Sequence, residues 1–229
     1  MMGSTLRILA GIAVACALTL ATGFASAAEP TYKYVGAKKC KTCHKKELIG
    51  NQYGLWQEAR HSKAFETLQG EKAIEIAKEK GISSPPSEAD ECLECHATAY
   101  GLGPEDFTRK PLRLADGIQC ETCHGPGSAY RKKKIMSDHD ESLAKGLLVP
   151  DEKTCLECHN DESPSWDPAK YTLADGTSAG FDFDQATEEI QHPIPEDVKG
   201  KVIEIEKQRK KDLAGAGDEE EDEEEDAEE

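Results

Sequence analysis

Apolar residues are strung along this chain in short, separated groups, with one exception at the start. Arg7 precedes an uninterrupted apolar run from Ile8 to Leu20, and Ala25-Ser26-Ala27 follows with the small-x-small pattern of a cleavage site. Residues 1–27 therefore read as an export signal, with the mature chain starting at Ala28. The run is too short and wrongly flanked for a membrane anchor, so no integral membrane segment is expected in the mature chain. Cys16 lies inside it, but Ala13 stands where a lipid-attachment motif would have Leu. Beyond the leader, residues 47–69 read as helical, with Trp56, His61, Phe65 and Leu68 near one face. A second helix over 71–80 stops at Gly81, and Pro85-Pro86 then breaks the chain. Residues 101–116 are irregular, interrupted by Pro104 and Pro111. Gly125-Pro126-Gly127 predicts a turn leading into a basic stretch towards His139. Further helices are expected over 184–191 and 199–213. The pattern predicts a mainly α chain with long loops and little or no β-sheet.

Such scattered apolar groups make a poor core. Hydrophobic residues are 37% of the chain and aromatics only 6%, which is thin for a domain that packs on its own side chains. The cysteines point to what fills the gap. Eight of the nine fall in four copies of one motif: Cys40-Lys41-Thr42-Cys43-His44, Cys92-Leu93-Glu94-Cys95-His96, Cys120-Glu121-Thr122-Cys123-His124 and Cys155-Leu156-Glu157-Cys158-His159. In Cys-x-x-Cys-His two thiols add to the vinyl groups of a haem, and the adjacent His is placed under the ring to ligate iron. The competing reading is paired zinc sites or plain disulfides. With 7 His in 229 residues, the chance that all four CxxC units are followed by His is on the order of one in a million. Eight free thiols would also not persist in the oxidising compartment to which the leader directs the chain. The sequence thus predicts four covalently bound haem c groups in a periplasmic protein, with the porphyrins as the core and short helices and loops around them. The motifs are unequally spaced, which excludes a simple tandem repeat.

Histidine arithmetic adds a constraint. His44, His96, His124 and His159 are proximal ligands by motif position, which leaves His61, His139 and His192 for the opposite faces. Three free histidines cannot close four irons. Met136 is the only Met outside the initiator pair, but it lies three residues before His139 and suits a second iron poorly. Three closed haems and one five-coordinate haem are expected.

Charge changes the picture of partners. The tail, 218–229, holds 11 acidic residues in 12 positions, so most of the formal net charge of −17 sits there. A block of like charge repels itself and buries nothing, so residues 28–217 form the expected folded unit and 218–229 a disordered tail. It serves solubility or steers a basic partner by long-range attraction. The sign of the charge excludes nucleic acid. Arg131-Lys132-Lys133-Lys134 and Lys110 form local basic spots.

Taken in order, the motifs resemble the tetrahaem cytochrome c-554 family. The likeness runs from about Tyr34 to His192. It includes Gly36 ahead of the first motif, Trp56, the stretch Ala59-Arg60-His61-Ser62-Lys63-Ala64 and Leu68. It continues through Cys95-His96 with Tyr100-Gly101, and through the run from Gly117 to Gly127 around the third motif. The His139 segment, the fourth motif and a late His complete it. The resemblance implies a mainly helical, haem-scaffolded fold with haems in stacked and edge-on pairs. It implies that the haem of Cys92, Cys95 and His96 is the open one and that His139 is distal to the first haem. It also implies that His61 reaches the fourth haem and His192 the third. The family's segment over the open face has its counterpart near Tyr171-Thr172, without the Pro and Phe that follow there.

The resulting expectation is an electron-transfer protein working between redox partners, with a hydroxylamine oxidoreductase-like donor or a quinol-linked cytochrome as partner classes. The alternatives are reduction of nitric oxide or another small nitrogen species at the open haem over His96, or binding of such a ligand without turnover. Glu94 is the acid nearest that site in sequence, and it is expected to be solvated. No acid–base constellation stands beside it.

Overall fold

The computed structural model describes residues 31–199 together with Lys201, Glu204 and Gln208. The leader, the acidic tail and most of the helix expected over 199–213 lie outside the described residues. Among them, no helix is long and apolar enough to cross a membrane.

The fold is mainly α and built from short pieces. In chain order these are α1 (Ala37–His44), α2 (Gln52–Glu58), α3 (Ala64–Thr67), α4 (Glu71–Glu79), α5 (Asp90–His96) and α6 (Cys120–His124). Then come α7 (Lys133–Met136), α8 (His139–Ala144), α9 (Glu152–Leu156) and α10 (Phe183–Ile190). One antiparallel pair, β1 (Tyr171–Thr172) with β2 (Ser178–Ala179), is the sheet of the described residues.

The stretch 47–69 is not the single helix its periodicity predicts. Gly50 (φ 97°) and Asn51 (φ 46°) take left-handed conformations that end the turn over Glu47–Ile49, and Ala59 is extended, so α2 stops at Glu58. A 3₁₀ turn over Arg60–Lys63 then carries His61 into α3. The break has a cause in tertiary pairing. The Ile118 amide donates to the His61 carbonyl (3.1 Å), and the Trp56 indole donates to the Ile118 carbonyl (2.9 Å). These bonds draw both segments onto the strand-like lead into α6, and a straight helix could not satisfy both. The helix expected over 71–80 is α4, ending before Gly81 (φ 72°).

Packing is sparse. The main buried cluster is Leu68, Leu93 and Ala97, with Phe65, Cys92, Tyr100 and Leu114 against it, and it joins α3 to α5. The largest side chains with under 2% exposure are Glu121 and Ser142, both polar. Meanwhile Leu55, Leu148, Val149 and Leu156 are exposed. An ordinary core inverts that order.

Candidate functional site

Three of the four motifs end a helix on their His: α1 at His44, α5 at His96 and α6 at His124. In the fourth, α9 ends at Leu156, but the His159 amide still reaches back to the Cys155 carbonyl (3.0 Å). Helical winding is what the motif needs, because residues i, i+3 and i+4 share one helix face. Both thiols and the imidazole of each motif are thereby delivered to the same side.

The motifs meet in an order that differs from their order in the chain. α1 packs against α6, which brings Cys40 beside Cys120; that neighbour and burial push Cys40 up, while Cys120 is lowered. Cys158 likewise lies close to Cys95, and that neighbour with burial pushes Cys158 up while Cys95 is lowered. Cys123 is raised to about 11, first by burial and then by nearby Cys155. First and third motifs thus touch, second and fourth touch, and the third leads on to the fourth. The spatial sequence is first, third, fourth, second.

The imidazoles meet in pairs. His61 and His159 stand with ring centroids 6.0 Å apart and planes at 81°. His124 and His192 stand 6.0 Å apart at 84°. Two in-line metal–nitrogen bonds of about 2 Å each, plus the half-widths of two rings, make up about this separation. Among the described residues no three His, Cys, Asp or Glu close on one point, so these donors come as opposed pairs and not as a chelating cluster. Burial lowers His61, His124 and His159, which favours the neutral form that binds metal.

Several of these rings have one nitrogen already committed. The Nδ1 of His124 faces the Leu148 carbonyl (3.2 Å), that of His96 the Ala64 carbonyl (2.7 Å), and that of His192 the Ile190 carbonyl (2.8 Å). The Nδ1 of His44 faces Gln52 Oε1 (3.3 Å), and the Gln52 amide in turn donates to the Ile49 carbonyl. A carbonyl can only accept, so Nδ1 carries the proton and Nε2 is left as the ligating atom. Leu148 both holds His124 and presents an exposed apolar side chain beside it. Opposed neutral imidazoles, motif thiols on one helix face and uncovered apolar side chains fit a large, flat, iron-bearing apolar group. The residues present therefore fit haem.

The remaining predicted positions fall as follows. His139 opens α8 and is exposed; Asp138 caps that helix through the Glu141 amide (3.0 Å). Among the described residues the ring contacts do not include His44, His96 or His139. His96 does lie within electrostatic reach of His61 and His159. Met136 ends α7, and Glu94 is exposed on α5. Tyr171 is buried in β1 with its ring edge-on to Phe181, and Phe181 stacks on His159 at 5.3 Å and 19°. Lys170, Tyr171, Gln185, Glu188 and Glu189 line a cleft between this hairpin and α10.

Three residues at this site escaped sequence reasoning. Phe181 is one; the signal for it was Asp175-Gly176, a hairpin turn that returns the chain to Tyr171. The others flank or lie within the third motif. Gln119 Oε1 accepts from the Ala37 amide (2.7 Å), and the Glu121 carboxylate accepts from Val35 (3.0 and 3.1 Å), Gly36 (2.7 Å) and Gly127 (2.6 Å). Together they cap the amino end of α1, which has no side-chain cap of its own.

Residues 39–125 match the family model described as cytochrome c554 and c-prime. Cytochrome c-554 of Nitrosomonas europaea is 28% identical over 206 residues, covering 81% of this chain and 84% of that protein. The multiheme cytochrome MtrA of Shewanella baltica is 29% identical over 102 residues, covering 39% of this chain and 29% of that protein. No solved structure matches the chain. With opposed imidazoles and paired CxxCH helices in place, the chain is similar to the cytochrome c-554 family over most of its length, and this similarity supports an electron-transfer c-type cytochrome with covalently bound haem c.

Proposed function

We propose that this protein is a periplasmic tetrahaem cytochrome that relays electrons between two redox partners. Cys40/Cys43, Cys92/Cys95, Cys120/Cys123 and Cys155/Cys158 hold one haem each, with His44, His96, His124 and His159 as proximal ligands. When bound, each haem supplies a one-electron iron couple. The chain's own residues set where those couples stand. Carbonyls of Ala64, Leu148 and Ile190 and the amide of Gln52 orient the imidazoles, and the motif helices fix the attachment points. His61 and His192 complete the fourth and third haems, and His139 serves the first by family likeness.

The observation that carries the reading is the order in which the motif thiols meet. Electron exchange falls steeply with distance, so a relay needs each cofactor edge against the next. The approach of α1 to α6, with Cys40 near Cys120, Cys95 near Cys158 and Cys123 within electrostatic reach of Cys155, supports such a line. The ends of the line are the first and second motifs, where a donor and an acceptor would dock. Partner classes are redox proteins such as a hydroxylamine oxidoreductase-like donor or a quinol-linked cytochrome.

A second reading is reduction of nitric oxide at the haem of His96: His61 stands against His159 and His192 against His124, so neither faces His96. Two measurements separate the cases. The mass of the purified protein should show four haem additions and no free thiol; two additions with retained zinc would sink the relay. The reduced protein should then bind nitric oxide once without repeated reoxidation, whereas sustained turnover would make it a reductase.

A further inference from the structure

Glu121 is the second residue of the third CxxCH motif, and only 1% of it is exposed. The corresponding positions of the other motifs hold Lys41, Leu93 and Leu156. Its carboxylate takes four hydrogen bonds from three backbone amides, those of Val35, Gly36 and Gly127. Both carboxylate oxygens are thereby held in place by the backbone, at the amino end of α1. The closest shaped space is filled as well: a Cβ on Gly127 would stand 3.2 Å from Glu121 Oε1. The charge is within reach of both Cys40 and Cys120, so it lies beside the attachment points of two different haems. The second and fourth motifs have their carboxylates, Glu91, Glu94, Asp151, Glu152 and Glu157, on the exposed surface, where water and salt screen them.

We propose that Glu121 is a built-in anion that lowers the reduction potentials of the first and third haems relative to the second and fourth. The inference rests on the tetrahaem reading. Each iron that accepts one electron from a reduced partner loses one unit of positive charge, and the partner is oxidised by that electron. A fixed negative charge nearby favours the ferric side of that couple. Because Glu121 is buried, its effect acts through a low-dielectric interior and is not diluted by salt. Electrons would then run downhill from the first–third pair to the fourth–second pair, which gives the relay a direction.

Mass spectrometry of the four-haem protein first reports cofactor load, so a failed relay reading is recognised before any potential is measured. Spectroelectrochemical titration follows, with dithionite as reductant and small mediators. Glu121→Gln keeps the size and one acceptor but removes the charge. Two of the four midpoints should rise and two should stay. The midpoints are assigned by the ones that His61→Met and His192→Met displace. Gln119→Ala removes the other cap of α1 without changing charge; it should lower thermal stability and leave the midpoints in place. No shift in Glu121→Gln, or an equal shift of all four, overturns the proposal. If that variant yields no folded holoprotein, the wild type still decides. Between ~0.01 and ~1 M salt the Debye length falls from about 30 to 3 Å. The lower pair of midpoints should stay constant over that range while the upper pair moves. A lower pair that moves as much as the upper rules the buried anion out.

Discussion

The rings of His61 and His159 face each other at 6.0 Å with their planes nearly perpendicular, at 81°. Two imidazoles in crossed planes act equally on two iron d orbitals and leave them close in energy. Electron paramagnetic resonance of the oxidised protein should therefore show strongly anisotropic low-spin signals from this pair. The His124–His192 pair, crossed at 84°, should add a second. Replacing His61 by Ala should convert one of these centres to high-spin and leave the other untouched. Loss of both signals together, or of neither, would mean that His61 does not face a single iron.

His61 is held from behind by a glycine. Gly117 has φ 66°, and a Cβ there would come within 2.8 Å of the Ser62 carbonyl oxygen and 3.3 Å of that of His61. Gly117→Ala should cost about 2–3 kcal/mol, from left-handed strain and a clash with backbone that has nowhere to go. Part of the cost should surface as a high-spin fraction at the haem of His159, as His61 is pushed out of line. Gly176 is the comparison: its φ is 83° but a Cβ would meet nothing within 4 Å. Gly176→Ala should cost only about 1 kcal/mol and leave the spectrum alone. Equal thermal shifts in the two variants would show that strain alone acts at Gly117.

Phe181 covers the other side of this site by stacking on His159. Phe181→Ala should lower stability by about 1–3 kcal/mol, less than a fully buried Phe, because the ring is only partly buried. The ring plane of His159 should loosen, broadening one of the anisotropic signals. A spectrum identical to the wild type would mean that the stacking does not orient the ligand.

These relationships were unequally legible in the sequence. The four helical motifs were plain because their spacing is local, and the same spacing that binds a cofactor defines a helix face. The histidine count fixed how many imidazoles lie outside the motifs. It could not tell which rings meet, since His61 reaches His159 across the whole length of the second and third motifs. The expected long helix over 47–69 failed at Gly50 and Asn51, which take left-handed conformations, and at Ala59, on either side of which Trp56 and His61 pair with Ile118. Glu121 was hidden most completely. A Glu beside a Cys on a short helix reads as solvated, and it is contacts to Val35, to Gly36, 85 positions away, and to Gly127 that hold it inside. The thin apolar composition was the one global hint, and polar Glu121 and Ser142 are the largest fully buried side chains.

The interleaving of the motifs also governs how the protein can be assembled. The first motif cannot meet its neighbour until the third has been made, and the second waits for the fourth. A chain cut after His96 would hold one member of each pair and no finished contact between motifs. Closing long loops before any contact rewards them makes folding late and cooperative. Under the tetrahaem reading, two-motif halves of this molecule would therefore not be smaller relays. On that same reading, haem would be attached to the early motifs on a chain that has not yet folded.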